Sequence, residues 1–161
     1  MANPKVLWKP EEIHSHAHAY EQQLNPNSAF TGMPLSRLAG LKRVHVSMAR
    51  VQPGKDSFAY HAHLVEEEWM YVLSGQGIAE VDGVEHAIGP GDFLGFAAPN
   101  VPHLVKNRGA EELVYLMGGE DPPLDVLDYP HLGKRYLLTR TPSGAEFSEL
   151  GPVSRPFRRK G

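Results

Sequence analysis

The sequence predicts an all-β domain, and three observations carry that prediction. From Val44 to about residue 118 the chain runs in short segments rich in Val, Leu, Phe and Tyr. Turn signals separate them at Pro53-Gly54, Gly75-Gln76-Gly77, Asp82-Gly83, Gly89-Pro90-Gly91-Asp92, Pro99-Asn100 and Asn107-Arg108-Gly109. Sixteen glycines and fourteen prolines in 161 residues favour many turns over long helices. Consecutive short strands at this spacing form a sandwich or a barrel, and the length suits a single core.

The elements follow in order. Residues 1–40 mix His, Gln, Asn and Pro without sustained alternation and read as an N-terminal arm with one short helix. Residues 41–120 form the barrel. A strand from Val44 precedes the Pro53-Gly54 turn, and a second carries His61 and His63. Glu66 and Glu67 fall in the connecting loop, in water, whereas Glu68 opens the next strand with Met70 and Val72 on its own face. Asp82-Gly83 has the chemistry of a tight hairpin. His103 follows the Pro99-Asn100 turn and starts another strand with Val105 and Asn107 on its side. Residues 121–161 turn acidic and proline-bearing, then basic, and read as a tail wrapping or extending from the barrel.

Composition narrows the function. A formal charge of −3 gives no field for nucleic acid, and no helix-turn-helix pattern accompanies the basic end at Arg155, Arg158, Arg159 and Lys160, which reads as a solvated tail. The absence of cysteine removes disulfides, thiolate nucleophiles and thiolate metal sites, leaving nitrogen and oxygen ligands. Without an apolar leader or a run of about 18 apolar residues, a soluble cytoplasmic protein with no membrane partner is expected.

Chemistry concentrates in the stretch FAYHAHLVEEEWMYVLSGQG. Residues two apart on a strand share a face, so His61 and His63 project together. Two imidazoles inside a barrel need polar partners, and a divalent metal satisfies both. Glu68 and His103 are candidates to complete the set. Without metal, the same four side chains would have to hydrogen-bond one another.

These residues resemble the cupin superfamily. The spacing H-x-H-x4-E-x6-G runs through His61, His63, Glu68 and Gly75, and the second motif runs from Gly91-Asp92 through Pro99 to His103 and Asn107. Ala98 and Asn100 stand where that family usually has proline and glycine; Asn tolerates the left-handed conformation the turn needs. The resemblance implies a double-stranded β-helix, or jelly-roll barrel, with a metal held by His61, His63, Glu68 and His103, and it favours a homodimer. Gly118-Gly119, Asp128-Tyr129-Pro130 and Gly133-Lys134 are similar to a branch of small bacterial cupins.

Other residues have weaker claims. His14, His16 and Glu21 repeat the H-x-H-x4-E spacing, with His18 in register, but no glycine follows and the segment lacks strand alternation. A surface or helix-capping role is expected there. His45 and Arg50 lie on opposite faces of one strand, so one of them at most faces the pocket. Tyr115 is a pocket candidate against ordinary core packing, while His86 and His131 read as hairpin and tail residues.

Three imidazoles and a carboxylate leave open coordination positions on Fe, Mn, Ni, Cu or Zn. Such a metal can polarise a carbonyl, acidify a hydroxyl or bind dioxygen. The expected function is action on, or binding of, a small oxygen-rich molecule, with chemistry like that of a sugar-phosphate isomerase or a dioxygenase. The alternative is a small-molecule sensor without catalysis.

Overall fold

The computed structural model describes residues 5–99, 101–141 and 143–152. Asn100 and the basic end at Arg155, Arg158, Arg159 and Lys160 lie outside the described residues. The strands are β1 (His18–Tyr20), β2 (Phe30–Met33), β3 (Val44–Val51), β4 (Ala62–His63), β5 (Glu68–Ser74), β6 (Gly77–Val81), β7 (Val84–Ile88), β8 (Phe93–Phe96), β9 (His103–Lys106), β10 (Leu113–Glu120), β11 (Leu124–Tyr129), β12 (Lys134–Thr141) and β13 (Gly144–Glu149). Two short helices, α1 (Pro10–Ser15) and α2 (Leu35–Leu38), lie in the first forty residues, where the sequence predicts one. No described helix is long and apolar enough to cross a membrane.

One sheet has the order β1-β2-β3-β10-β5-β8. Two smaller sheets, β13-β12-β11-β4 and β7-β6-β9, are joined by an antiparallel bridge between His61 and His103. Together they form the second layer of the predicted double-stranded β-helix. The arm and the tail both add strands: β1 and β2 extend the first layer, and β11 to β13 build one end of the second.

Side-chain alternation matches the expected parity. Ala49 and Val51 of β3, Met70 and Val72 of β5, Val105 of β9, and Leu113 and Tyr115 of β10 are buried in one core with Phe30, Ala79, Ile88 and Phe96. Tyr115 is fully buried there, so the packing role holds and not the pocket role. A smaller cluster of Ala59, Leu127, Tyr129 and Leu138 lies under the C-terminal strands. The Asp82-Gly83 turn closes the β6–β7 hairpin, with Val81 paired to Val84. Gly75, at the end of the first motif, has φ +78°, and a Cβ there would lie 2.3 Å from the carbonyl oxygen of Glu112. Asn107 is a structural residue: its amide donates to the carbonyls of Val51 (2.7 Å) and Glu111 (2.8 Å), and its oxygen accepts from Gly109 N–H.

Cross-strand register sets the site. Because β10 lies between β3 and β5, His45, Gly119 and Glu68 form one row on the inner face, above the row Ser47, Met117 and Met70. The polar row meets the cavity and the rows beneath it close the core.

Candidate metal centre

Three imidazoles converge on one carboxylate oxygen. Glu68 Oε2 lies 3.2 Å from His103 Nε2, 3.3 Å from His63 Nε2 and 3.8 Å from His61 Nε2. The structure therefore brings together all four residues singled out by the spacing. Their placement has a local cause. His61 sits just before β4 and His103 opens β9; the bridge between them contains both backbone bonds, His61 N–H to His103 O (3.1 Å) and the reverse (2.8 Å). His63 is two residues along on the same face, and Glu68 reaches over from the other layer.

The far nitrogen of each ring is committed. His61 Nδ1 donates to Ala59 O (2.8 Å), His103 Nδ1 to Val101 O (3.0 Å) and His63 Nδ1 to Asp125 Oδ2 (2.6 Å). A carbonyl or carboxylate oxygen only accepts, so each Nδ1 carries the hydrogen and each Nε2 presents a lone pair in the neutral ring. Phe96 stacks flat on His103, with centroids 3.7 Å apart. Asp125 is buried and also accepts from Val65 N–H and Val126 N–H, which fixes it behind His63.

The electrostatics suit a cation. Burial, with the neighbouring His103 imidazole, pushes His61 down to about 3. Burial works against a charged His63 too, but its bond to Asp125 and the nearby Glu68 and Glu66 carboxylates outweigh it and raise its pKa. Burial of Glu68 favours the neutral acid, yet the surrounding imidazoles hold the carboxyl well below the usual range. Glu68 Oε2 is itself buried without a hydrogen-bond partner. A buried acceptor faced by three lone pairs leaves like poles opposed, and a divalent cation between them relieves this. The donor set thus fits a transition metal.

Two further groups bring ligating atoms close: His45, Glu66 and Glu68; and His63, Glu66 and Asp125. Neither needs an ion. Glu66 Oε2 accepts from Arg140 Nη2 at 2.8 Å, its Oε1 is hydrogen-bonded by His45 Nε2, and Asp125 is filled as above. Glu66 corrects the sequence expectation of a solvated loop: it is 2% exposed, because Arg140 of β12, itself paired with Asp121, comes down on it. Glu67 is exposed as expected.

His61, His63 and Glu68 line a cavity of about 360 Å³, and His103 lies behind them, outside its lining. His45 faces it, while Arg50 points away and pairs with Glu112. Gly119 makes room for His45 and Glu66: a Cβ there would lie 2.9 Å from His45 Nε2, 3.1 Å from Glu66 Oε1 and 2.5 Å from Glu67 O. The walls were not evident in sequence. The arm supplies Tyr20, Phe30, Ser36 and Arg37, and the C-terminal strands supply Tyr129 and Arg140. Gln22 joins the two, accepting from Ala59 N–H and donating to Tyr129 Oη (3.3 Å). Burial raises the Tyr129 phenol to about 12. His14, His16 and His18 stand apart at the surface, in α1, at its C-cap and in β1. His86 lies exposed on β7 and His131 in a short 3-10 turn after β11.

Comparison with known proteins agrees with this architecture. The family profile described as "Cupin domain" matches residues 47–119. A solved structure from Acidithiobacillus ferrooxidans, provisionally named a sugar phosphate isomerase, is 33% identical, with 96% of this chain covering 98% of that one at a TM-score of 0.84. The sugar phosphate isomerase of a cupin superfamily from Silicibacter pomeroyi is 25% identical, with coverage of 86% and 89% and a TM-score of 0.72. No protein of curated function matches. With the motif residues gathered on the inner face of a jelly roll and a relative aligned over nearly its whole length, the chain belongs to the cupin superfamily.

Proposed function

We propose that this cupin is a metal-dependent isomerase of a small hydroxy-carbonyl compound, with His61, His63, Glu68 and His103 holding the ion. The observation that carries this reading is the convergence of three Nε2 lone pairs on Glu68 Oε2, beside an open cavity that His61, His63 and Glu68 line. When bound, the metal supplies a Lewis acid for adjacent substrate oxygens. The two relatives named as sugar phosphate isomerases favour the same class.

The chain's own groups supply the remaining chemistry. His45 Nε2–H is held by Glu66, so the neutral ring presents a bare Nδ1 that can take a proton from one carbon or oxygen and return it to the next. Arg140 keeps Glu66 in place for this. Phe30, Phe58, Leu127 and Leu138 give the cavity apolar walls that exclude water from a developing enolate.

The test is incubation of Fe(II), Mn(II), Ni(II) and Zn(II) forms with hydroxy-acids, diols and sugar phosphates, with and without oxygen, following products by mass spectrometry and binding by calorimetry. Metal-dependent interconversion of isomers, lowered in His45→Gln at unchanged metal content, is the expected result. A second reading, oxygen-dependent cleavage, is favoured by a chamber of about 30 Å³ beside His61, Glu68 and His103, lined by Met70, Phe96 and Val105. Product formed only under oxygen would select it. Binding without product in every form would instead favour a sensor.

A further inference from the structure

The cavity has a second polar end, away from the three imidazoles, and its chemistry is that of an anion receptor. Two arginines line the cavity. Arg140 is spoken for, shared between Glu66 (2.8 Å) and Asp121 (2.5 Å). Arg37, in the last turn of α2, is exposed to the cavity mouth and has no carboxylate partner among the described residues.

Two hydroxyls stand beside it. Ser36 is 4% exposed yet lines the cavity. Its Oγ accepts from Val46 N–H at 3.0 Å, a donor of β3 left open where β2 ends, and among the described residues no acceptor takes the hydroxyl's own hydrogen. Ser47 faces the cavity from β3, two residues from His45, and its hydroxyl has no partner among the described residues. A buried hydroxyl with a spare hydrogen, a second hydroxyl and a guanidinium bring donors from α2 and β3 to the same cavity. That arrangement suits a tetrahedral oxyanion with three free oxygens better than a planar carboxylate.

The separation is set by the sheet. Glu68 is on β5, and β10 lies between it and β3. Neighbouring strands are about 5 Å apart, which puts the β3 backbone about 10 Å from the β5 backbone, and β3 side chains reach inward from there, His45 Nε2 to 4.0 Å from Glu68 Oε1. A ligand touching both ends must therefore reach across β10, the strand between them.

We infer that the cavity takes a phosphate monoester whose oxygen-bearing carbons lie at the imidazole end and whose phosphate is received by Arg37, Ser36 and Ser47. This rests on the isomerase reading for the first end only; the anion site stands on its own residues. Arg37 is a specificity determinant here, and the reacting atoms lie elsewhere.

The experiment has two arms, both with the full chain. In the first, calorimetry on the Zn(II) form compares fructose 6-phosphate with fructose. The phosphate ester should bind at least about tenfold tighter; Arg37→Gln should erase that preference, and Arg37→Lys should keep most of it, with metal content and the affinity for fructose unchanged. In the second, inorganic phosphate is titrated into chelator-treated protein, where neither metal nor turnover enters. Millimolar binding in the wild type that disappears in Arg37→Gln and weakens in Ser36→Ala supports the site even if no sugar is ever turned over. Equal phosphate affinity in wild type and Arg37→Gln, or none in the wild type, overturns it, as does an undiminished preference for the ester in Arg37→Gln.

Discussion

His61 and His103 are direct partners across an antiparallel bridge, exchanging both backbone hydrogen bonds while their rings stand 4.7 Å apart. The backbone pair that joins the two smaller sheets is the same pair that aims two imidazoles at Glu68. Site geometry and sheet continuity therefore depend on the same two residues, although a side-chain change leaves the backbone bridge intact.

Metal content should follow from this. Protein prepared without affinity resin should contain about one divalent ion per chain by elemental analysis. His61→Ala and His103→Ala should each remove it while the fold persists by circular dichroism. Changing His14, His16 and His18 together to Ala should leave it in place, since among the described residues none of them belongs to a group that could hold an ion.

The three consecutive glutamates should separate cleanly. Glu68→Gln replaces an anionic oxygen by a neutral amide and should lower metal affinity sharply. Glu66→Gln should leave metal content near wild type but leave Arg140 paired with Asp121 alone, costing about 2 kcal/mol and a fall in Tm of roughly 4–8 °C. Glu67→Gln, at the surface, should change stability by less than about 0.5 kcal/mol. Equal metal content in all three would refute the assignment of Glu68.

Gly119→Ala tests the dyad from behind. Its methyl group would meet Glu67 O at 2.5 Å and His45 Nε2 at 2.9 Å, so the backbone or the His45–Glu66 pair must shift. Overpacking of this kind costs about 1–3 kcal/mol. Turnover should fall at near-normal metal content, and calorimetric metal titration beside kinetics would reveal an unmoved dyad if turnover were unchanged.

Acid should destabilise the metal-free protein. His61 titrates near 3 when folded and near 6.5 when unfolded, so the unfolded chain binds the extra proton between those values. Stability is complete above about 6.5 and declines as pH falls towards 3, at up to about 1.4 kcal/mol per unit from this group. The depressed Glu68 carboxyl adds a loss in the same direction at lower pH, while the raised His63 offsets part of the upper range. Urea midpoints between pH 8 and 4 should trace this decline; a flat profile would show His61 charged in the fold.

The barrel and the four convergent residues were legible because both rest on local periodicity. His61 and His63 are two apart on one face, and Glu68 shares its parity with Met70 and Val72. Glu66 was misread because its burial depends on Arg140, 74 positions away, and nothing in the EEE run distinguishes it from Glu67. The walls were missed for the same reason. Tyr20 and Phe30 occupy strands of three and four residues, too short for an alternating pattern to show, and the C-terminal wall residues that share the cavity with them, Tyr129 and Arg140, are about 100 positions or more away in sequence.

Gln22 ties residues 59 and 129 together with one amide, and the contact with Tyr129 closes a loop of 107 positions. Such contacts lose chain entropy before they return any energy. The motif strands can assemble their sheet before the arm arrives, but the cavity has no front wall until it does. Its shape thus depends on the docked arm, whose Phe30 packs on Phe58 and through it against His61. A ligand spanning the cavity would bind only the docked state and favour it by mass action, so that its occupancy would register as slower proteolysis and hydrogen exchange of the first forty residues.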